Sequence, residues 1–318
     1  MFFCWILLCP ADIFSQEDVG PGDKLSQQQF VLGCEAYRQN VIHDLEEVLT
    51  EFTNLSDSLV RISENPQAHY AFKEMVLKGS LMDCHDKTTD AMYGAIRNFG
   101  FKDSIASGSY EQWLDENLYS LMELQFLISN GILEANYPYQ LGDLTKVWKE
   151  FSFFGIEANM SVADIGAGNG VISFILLGSG LPLNVVMTEI DEDYLALLKT
   201  KIIKYGSGNQ LSSISLIKGT DNDLGLGDLK VDRMILREVF HHLKDTDSIL
   251  EDISLHLKPD GYLIVEESTK ELTKNGEKSC NKATTYKKIM KEFGAAGYDL
   301  EGLEVVGSFY MLRFKHSG

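Results

Sequence analysis

Basic residues are scarce in this chain: 28 lysines and arginines stand against 47 aspartates and glutamates, a formal net charge of −19 with histidine neutral. A surface this acidic repels phosphate backbones and anionic bilayers. No dense Lys/Arg cluster offsets it, so no nucleic-acid partner is expected. The richest basic stretch, Lys270–Lys291, is interrupted by Glu271 and Glu277 and reads as a solvated loop and helix face. Proline is also rare, six in 318 residues, which together with 44% hydrophobic residues excludes collagen-like and disordered classes. The five cysteines include no CxxC pair, so neither a disulfide framework nor a zinc site is indicated and buried free thiols are expected. Bilayer-length apolar runs are missing as well. Phe2–Leu8 is too short for a stable membrane span. It has the length of a signal-peptide core, and residues 1–16 hint at export, but the basic flank of such peptides is absent because the first Lys or Arg is Lys24.

What remains divides in two. From residue 25 to about 145 the pattern is helical. In EAYRQNVIHDLEEVLTEF, apolar Val41, Ile42, Leu45, Val48, Leu49 and Phe52 recur at three-to-four spacing, an amphipathic stripe. HYAFKEMVLKGSLM and DAMYGAIRNFGF repeat that spacing, and DSIASGS (Asp103–Ser109) reads as a loop. A long helix follows in EQWLDENLYSLMELQFLISNGIL, with Leu118, Leu121, Leu124 and Ile128 facing a core and Gly131 as its stop, and LTKVWKEFSFFG leads into the next unit. Over residues 146–318, short β-branched apolar runs alternate with helical stretches: SVADIG, VISFILLG, LNVVMTEI, EDYLALLKTKIIKYG, SISLIKG, VDRMIL, DSILEDISLHL, GYLIVEES and KATTYKKIMKEFG. LEVVGSF and YMLRFKH close the chain, too near one another for a helical crossover, hence an antiparallel pair. The pattern predicts an α/β fold: a doubly wound, seven-stranded Rossmann-like sheet preceded by an all-helical N-terminal region.

In such sheets ligands bind beyond the C-terminal strand ends, at the first strand-to-helix turn. That turn is ADIGAGNG, residues 163–170. A P-loop would need GxxxxGK[ST], which the chain lacks. A dinucleotide turn needs GxGxxG, and its last glycine position is occupied by Val171. The spacing Asp164, Gly166, Gly168, Gly170 instead gives D-x-G-x-G-x-G.

That pattern resembles motif I of the class I S-adenosylmethionine-dependent methyltransferases. The resemblance covers residues 160–316 and extends beyond the turn. Glu189 closes the second strand, 19 residues after Gly170, where the family places an acid that binds both ribose hydroxyls. A carboxylate can accept two hydrogen bonds from a diol. Asp191, the rival acid, reads better as the N-cap of the next helix. GTDNDLGL resembles the acidic loop near the adenine and puts Asp221 by the adenine amino group. DRMILREVFHHLKD and LKPDGYLIVEES resemble the family's fourth- and fifth-strand segments, with Asp260 where glycine is usual. The resemblance implies S-adenosylmethionine as cofactor, held by Asp164, Gly166, Ala167, Gly168, Gly170, Glu189, Ile190, Asp221, Arg237 and Glu238.

The VFHHL form and the acidic surface favour a small molecule as methyl acceptor, with a protein side chain as the alternative. There is no [DNS]PP[YFW] signature for exocyclic amines of bases and no Pro-Cys pair for cytosine C5. His241 and His242, just past the fourth strand, are the candidates for base catalysis or substrate contact. The competing roles are capping the following helix or bonding to backbone. A His–His metal site is not expected from adjacent residues, and His256 has no obvious carboxylate partner. The helical region is expected to cover the open strand ends, and Trp113, Tyr119, Tyr137, Tyr139 and Trp148 either enclose a substrate or pack between helices. Two other functions share the nucleotide-type turn: a non-catalytic cofactor-binding or scaffold protein, and an NAD(P)-dependent oxidoreductase. A cofactor made and used in the cytosol argues for the cytoplasm, against the export hint of residues 1–16.

Overall fold

The computed structural model describes residues 26–47, 49–63, 107–131, 144–206, 213–268, 284–306 and 309–317. Among the described residues four helices come first: α1 (Gln27–Glu47), α2 (Leu49–Ser63), α3 (Ser107–Gly131) and α4 (Leu144–Phe154). The alternating part runs β1 (Ser161–Ile165), α5 (Val171–Gly178), β2 (Asn184–Glu189), α6 (Glu192–Tyr205), β3 (Ser213–Lys218), β4 (Val231–Arg237), α7 (Thr246–His256), β5 (Leu257–Ser268), α8 (Tyr286–Ala295), β6 (Tyr298–Val306) and β7 (Phe309–His316).

The strands form one seven-stranded sheet in the order β3-β2-β1-β4-β5-β7-β6. β1 to β5 pair in parallel, and β7 enters antiparallel between β5 and β6. The strand order reverses direction between β1 and β4, which opens a crevice at their C-terminal ends. Successive residues of each strand face opposite layers. Val162, Val185, Met187, Ile235 and Ile264 join the core with α1, α3, α4 and α5. Their neighbours Ala163, Val186, Met234, Leu236, Leu263 and Val265 join the other core with α7 and α8. No helix joins β3 to β4; Leu224 and Leu226 of that connection are buried on the α7 side and fill the layer instead.

The element types read from the sequence are those observed, with differences at edges. The stripe over Val41–Phe52 falls on two helices, Gln27–Glu47 and Leu49–Ser63. α3 begins at Ser107, inside the stretch read as a loop, because Ser107–Ser109 take up its first turn. The helices expected in HYAFKEMVLKGSLM and DAMYGAIRNFGF, Tyr137, Tyr139, residues 1–16 and most of the basic stretch lie outside the described residues, as do all cysteines but Cys34. Cys34 is a free buried thiol, and its burial pushes its pKa up.

The described N-terminal helices lie against one face of the domain, not across the strand ends. The Cys34 thiol points at the Ile175 carbonyl (3.8 Å), and Tyr37 stacks on Phe174 with ring centroids 5.9 Å apart. Lys201 of α6 meets Glu123 of α3. Of the singled-out aromatics, Trp113 is buried with its indole N–H donated to Ser58 Oγ (2.6 Å), and Trp148 packs on Phe30 and Phe151. Both serve helix packing. Tyr119 is exposed, its hydroxyl 3.5 Å from Thr200 Oγ1.

Candidate active site

The turn after β1 is built from three left-handed glycines, Gly166 (φ 67°), Gly168 (φ 50°) and Gly170 (φ 67°). They are not equivalent. A Cβ on Gly170 would lie 2.7 Å from Met187 Cε and 2.9 Å from Leu198 Cδ2, and one on Gly166 would lie 2.8 Å from Val239 Cγ2. Those two positions are filled by the protein itself. A Cβ on Gly168 would meet only the Gly166 carbonyl, at 4.0 Å. The space over Gly168 is therefore open, and its N–H donates to Glu189 Oε2 at 2.8 Å. Glu189, almost completely buried at the end of β2, also accepts the N–H groups of Ile190 (2.8 Å) and Asp191 (3.0 Å) on Oε1. Ile190 is half exposed beside it, and Asp191 caps α6 by accepting from the Asp193 and Tyr194 N–H groups. Asp164 lies beneath the turn, accepting the Ser173 N–H (3.2 Å) and hydroxyl (2.7 Å), which ties β1 to α5.

The other wall comes from the ends of β4 and β5. Arg237 Nε donates to Glu266 Oε1 at 3.0 Å, with its guanidinium over the Phe309 ring. Glu238 takes a left-handed φ of 55° and donates its N–H to the Glu266 carbonyl (2.8 Å). A single 3₁₀ turn, Phe240–His242, follows and is anchored by buried Phe240 against Phe293. His241 Nδ1 stands 2.6 Å from Glu267 Oε2, and its backbone N–H donates to Oε1 of the same carboxylate at 3.3 Å. These two side chains are 3% and 0% exposed. The His242 ring lies beside that of His241, with centroids 4.1 Å apart. Neither histidine caps α7: Asp245 does, accepting from the Ser248 N–H. His256 has the carboxylate partner that its sequence context did not reveal, Asp252 one helical turn earlier at 3.3 Å. Asp221, in the loop after β3, is exposed and pairs with Lys244 Nζ at 2.9 Å, so the loops after β3 and β4 meet there.

Residues 156–302 match the family model described as a methyltransferase domain. This part of the chain is a methyltransferase domain. Its strand order and left-handed glycine turn agree with the resemblance to the class I, S-adenosylmethionine-dependent kind. Among solved structures, a SAM-dependent methyltransferase from Aquifex aeolicus is 22% identical and has a TM-score of 0.47, the match covering 52% of this chain and 87% of that one. The glycopeptide N-methyltransferase MtfA in complex with sinefungin is 13% identical (TM-score 0.44, 54% and 85% covered). A precorrin-6y C5,15-methyltransferase from Geobacter metallireducens GS-15 is 18% identical (TM-score 0.40, 54% and 87% covered). No curated protein matches the chain.

The methyltransferase domain's own residues fit the cofactor. Gly168 leaves a cradle that any side chain would fill, and the carboxylate of Glu189 borders it. Asp164, Gly166, Ala167, Gly170 and Ile190 belong to the same turn and strand ends, whereas Arg237 and Glu238 stand on the opposite wall beside His241 and His242. Three residues escaped the sequence reading: Glu266 and Glu267, and Lys244. The first two carried a signal. A strand buried on both faces reads as continuous apolar residues, so two adjacent acids at the end of LIVEES needed a reason.

Burial raises the Asp164 pKa to about 6, an effect moderated by the two Ser173 hydrogen bonds and the positive charge of Arg237. Because the folded-state pKa lies above that of the unfolded chain, the associated stability is present below about pH 4 and is lost as pH rises through 6. A shift of this size corresponds to about 3 kcal/mol. Asp164→Asn removes the charge and keeps an acceptor for Ser173. Its unfolding free energy relative to the parent is expected to move in the variant's favour between pH 4 and pH 8, read from denaturant melts at both. A difference that does not change with pH would mean that Asp164 ionises normally.

Proposed function

We propose that this domain transfers the methyl group of S-adenosylmethionine to a small molecule through an O, N, S or C nucleophile that docks at the ends of β4 and β5. The observation that carries the reading is the meeting of two built walls: Val239, next to Glu238, lies against Gly166 of the cofactor turn, and two residues further His241 is fixed by Glu267. The cofactor supplies an activated methyl group for in-line displacement from sulfur. The chain's residues have three tasks: to hold the donor at the glycine turn, to align the acceptor, and to exclude water. The acidic surface and the absence of base-specific signatures support a small molecule over a nucleic acid.

His241, held by Glu267, is the side chain proposed to contact the acceptor's nucleophilic atom. His241→Ala is expected to lower kcat about 100-fold or more with donor affinity unchanged, and His242→Ala to have a much smaller effect. The test is conversion of S-adenosylmethionine to S-adenosylhomocysteine across a panel of hydroxylated, amine and thiol metabolites, with donor binding measured in parallel. Donor binding without turnover on any acceptor would favour the scaffold reading. The nicotinamide-dependent alternative falls with the family match.

A further inference from the structure

We propose that Glu238, His241 and Glu267 form a binding site for one divalent first-row metal ion on the acceptor side of the methyl-transfer site. The inference rests on the reading above for the ion's place beside the acceptor, but not for its binding.

One ligand atom from each of the three side chains lies within 4.8 Å of the other two. Carboxylate oxygens and imidazole nitrogens sit about 2.0–2.2 Å from such an ion, so ligand atoms sharing one ion stand at most about 4.3 Å apart. A rotamer adjustment of a few tenths of an ångström closes the set. The three residues are held independently. Glu267 is on β5 in register with Tyr310 of β7, His241 is in the 3₁₀ turn with its N–H on Glu267, and the Glu238 N–H is on the Glu266 carbonyl.

Charge and donor type agree with the geometry. Two carboxylates and a neutral imidazole carry a formal charge of −2, the complement of a divalent cation. Glu267 and His241 have side chains 0% and 3% exposed, and carboxylates are seldom buried so deeply without a partner of opposite charge or a metal. In the ion-free geometry His241 Nδ1 and Glu267 Oε2 share a hydrogen bond at 2.6 Å; an ion takes that place, with the neutral imidazole bound through Nδ1 and its N–H carried on Nε2. An O, O, N donor set suits Mn²⁺, Fe²⁺ or Zn²⁺ better than Cu⁺, which prefers sulfur, or Ca²⁺, which prefers oxygen alone. Three protein ligands leave coordination positions open. Glu238 is the half-buried ligand; an acceptor reaching the ion from its side with a hydroxyl or carboxylate oxygen would take the remaining positions, and the ion would stabilise that oxygen as an anion. The adjacent-histidine pair is not the site; its partner ligands are the two glutamates, one of them 26 residues away in sequence.

The test uses the full chain, stripped with chelator and desalted, titrated with Mn²⁺ while free ion is followed by electron paramagnetic resonance. One Mn²⁺ per chain is expected, displaceable by Zn²⁺. Glu238→Gln, His241→Asn and Glu267→Gln should each weaken binding by about tenfold or more. Asp260→Asn, on the far surface, should leave it unchanged. S-adenosylmethionine binding and thermal melts on the same samples verify folding, and half-buried Glu238 offers a variant that leaves the buried carboxylate in place. No stoichiometric Mn²⁺ binding by the parent, or binding retained in all three ligand variants, overturns the site. Ion binding with these losses but no turnover on any acceptor would leave the metal site standing and count against the methyl-transfer reading.

Discussion

Gly168→Ala is expected to leave the protein folded and cost it the cofactor, while Gly170→Ala, two residues on, does the reverse. Both glycines are left-handed, so alanine at either costs about 1 kcal/mol in backbone conformation. The surroundings decide the rest. At Gly170 the new methyl would be driven against Met187 Cε (2.7 Å), Leu198 Cδ2 (2.9 Å) and Phe174 Cδ2 (3.0 Å), all from buried side chains that pack under the turn. Overpacking of that kind adds about 1–3 kcal/mol. A total near 3 kcal/mol lowers Tm by about 5 °C in a chain of this size. At Gly168 the nearest atom is 4.0 Å away, so the protein accepts the methyl group, but it occupies the cradle. Donor affinity should fall roughly 10- to 100-fold with Tm within a few degrees of the parent, on the scale of a 1–3 kcal/mol steric penalty. Calorimetric titration with S-adenosylmethionine alongside thermal melts separates the two effects. Parent-like donor affinity in Gly168→Ala would remove the cofactor from this turn.

The contrast explains how far the sequence could be read. The D-x-G-x-G-x-G spacing located the turn because backbone conformation is local and only glycine occupies φ near +60° without strain. It could not say which glycine faces ligand and which faces Leu198, 28 residues away, since that depends on how α6 packs. The doubly wound seven-stranded sheet was legible from the βα alternation, and its antiparallel end from the short link between β6 and β7; the order of the strands was not. The His241–Glu267 contact was not, because it joins the ends of β4 and β5 across an intervening helix, and nothing in VFHHL states its partner. Where the described N-terminal helices pack was not legible either, for a related reason. An amphipathic stripe shows that a face is buried, not what buries it; for α1 it is Phe174, Ile175 and Leu177 on the outside of α5.

Glu189 carries the second large effect, and its hydrogen bonds set the terms. An ionised carboxylate is acceptor-only with about four lone-pair positions. Three are occupied by backbone N–H groups, those of Gly168 on Oε2 and of Ile190 and Asp191 on Oε1. Glutamine has the same shape and cannot reproduce this. Whichever way its amide is turned, an NH₂ group faces a backbone donor, either Gly168 or the Ile190–Asp191 pair. Breaking a hydrogen bond to a charged group costs about 1.5–3 kcal/mol. Glu189→Gln is therefore expected to lose about 2 kcal/mol of stability because the residue shapes the turn, and, on the proposal that its carboxylate also takes a ribose hydroxyl, to weaken donor binding about 100-fold. Glu189→Asp keeps charge and lone pairs but is one methylene short, and should bind donor better than the glutamine variant. Comparing S-adenosylmethionine with its 2′-deoxy analogue distinguishes the two roles. If Glu189 holds the sugar, deleting the hydroxyl weakens the parent but hardly affects the glutamine variant. If it only shapes the turn, both proteins lose the same factor.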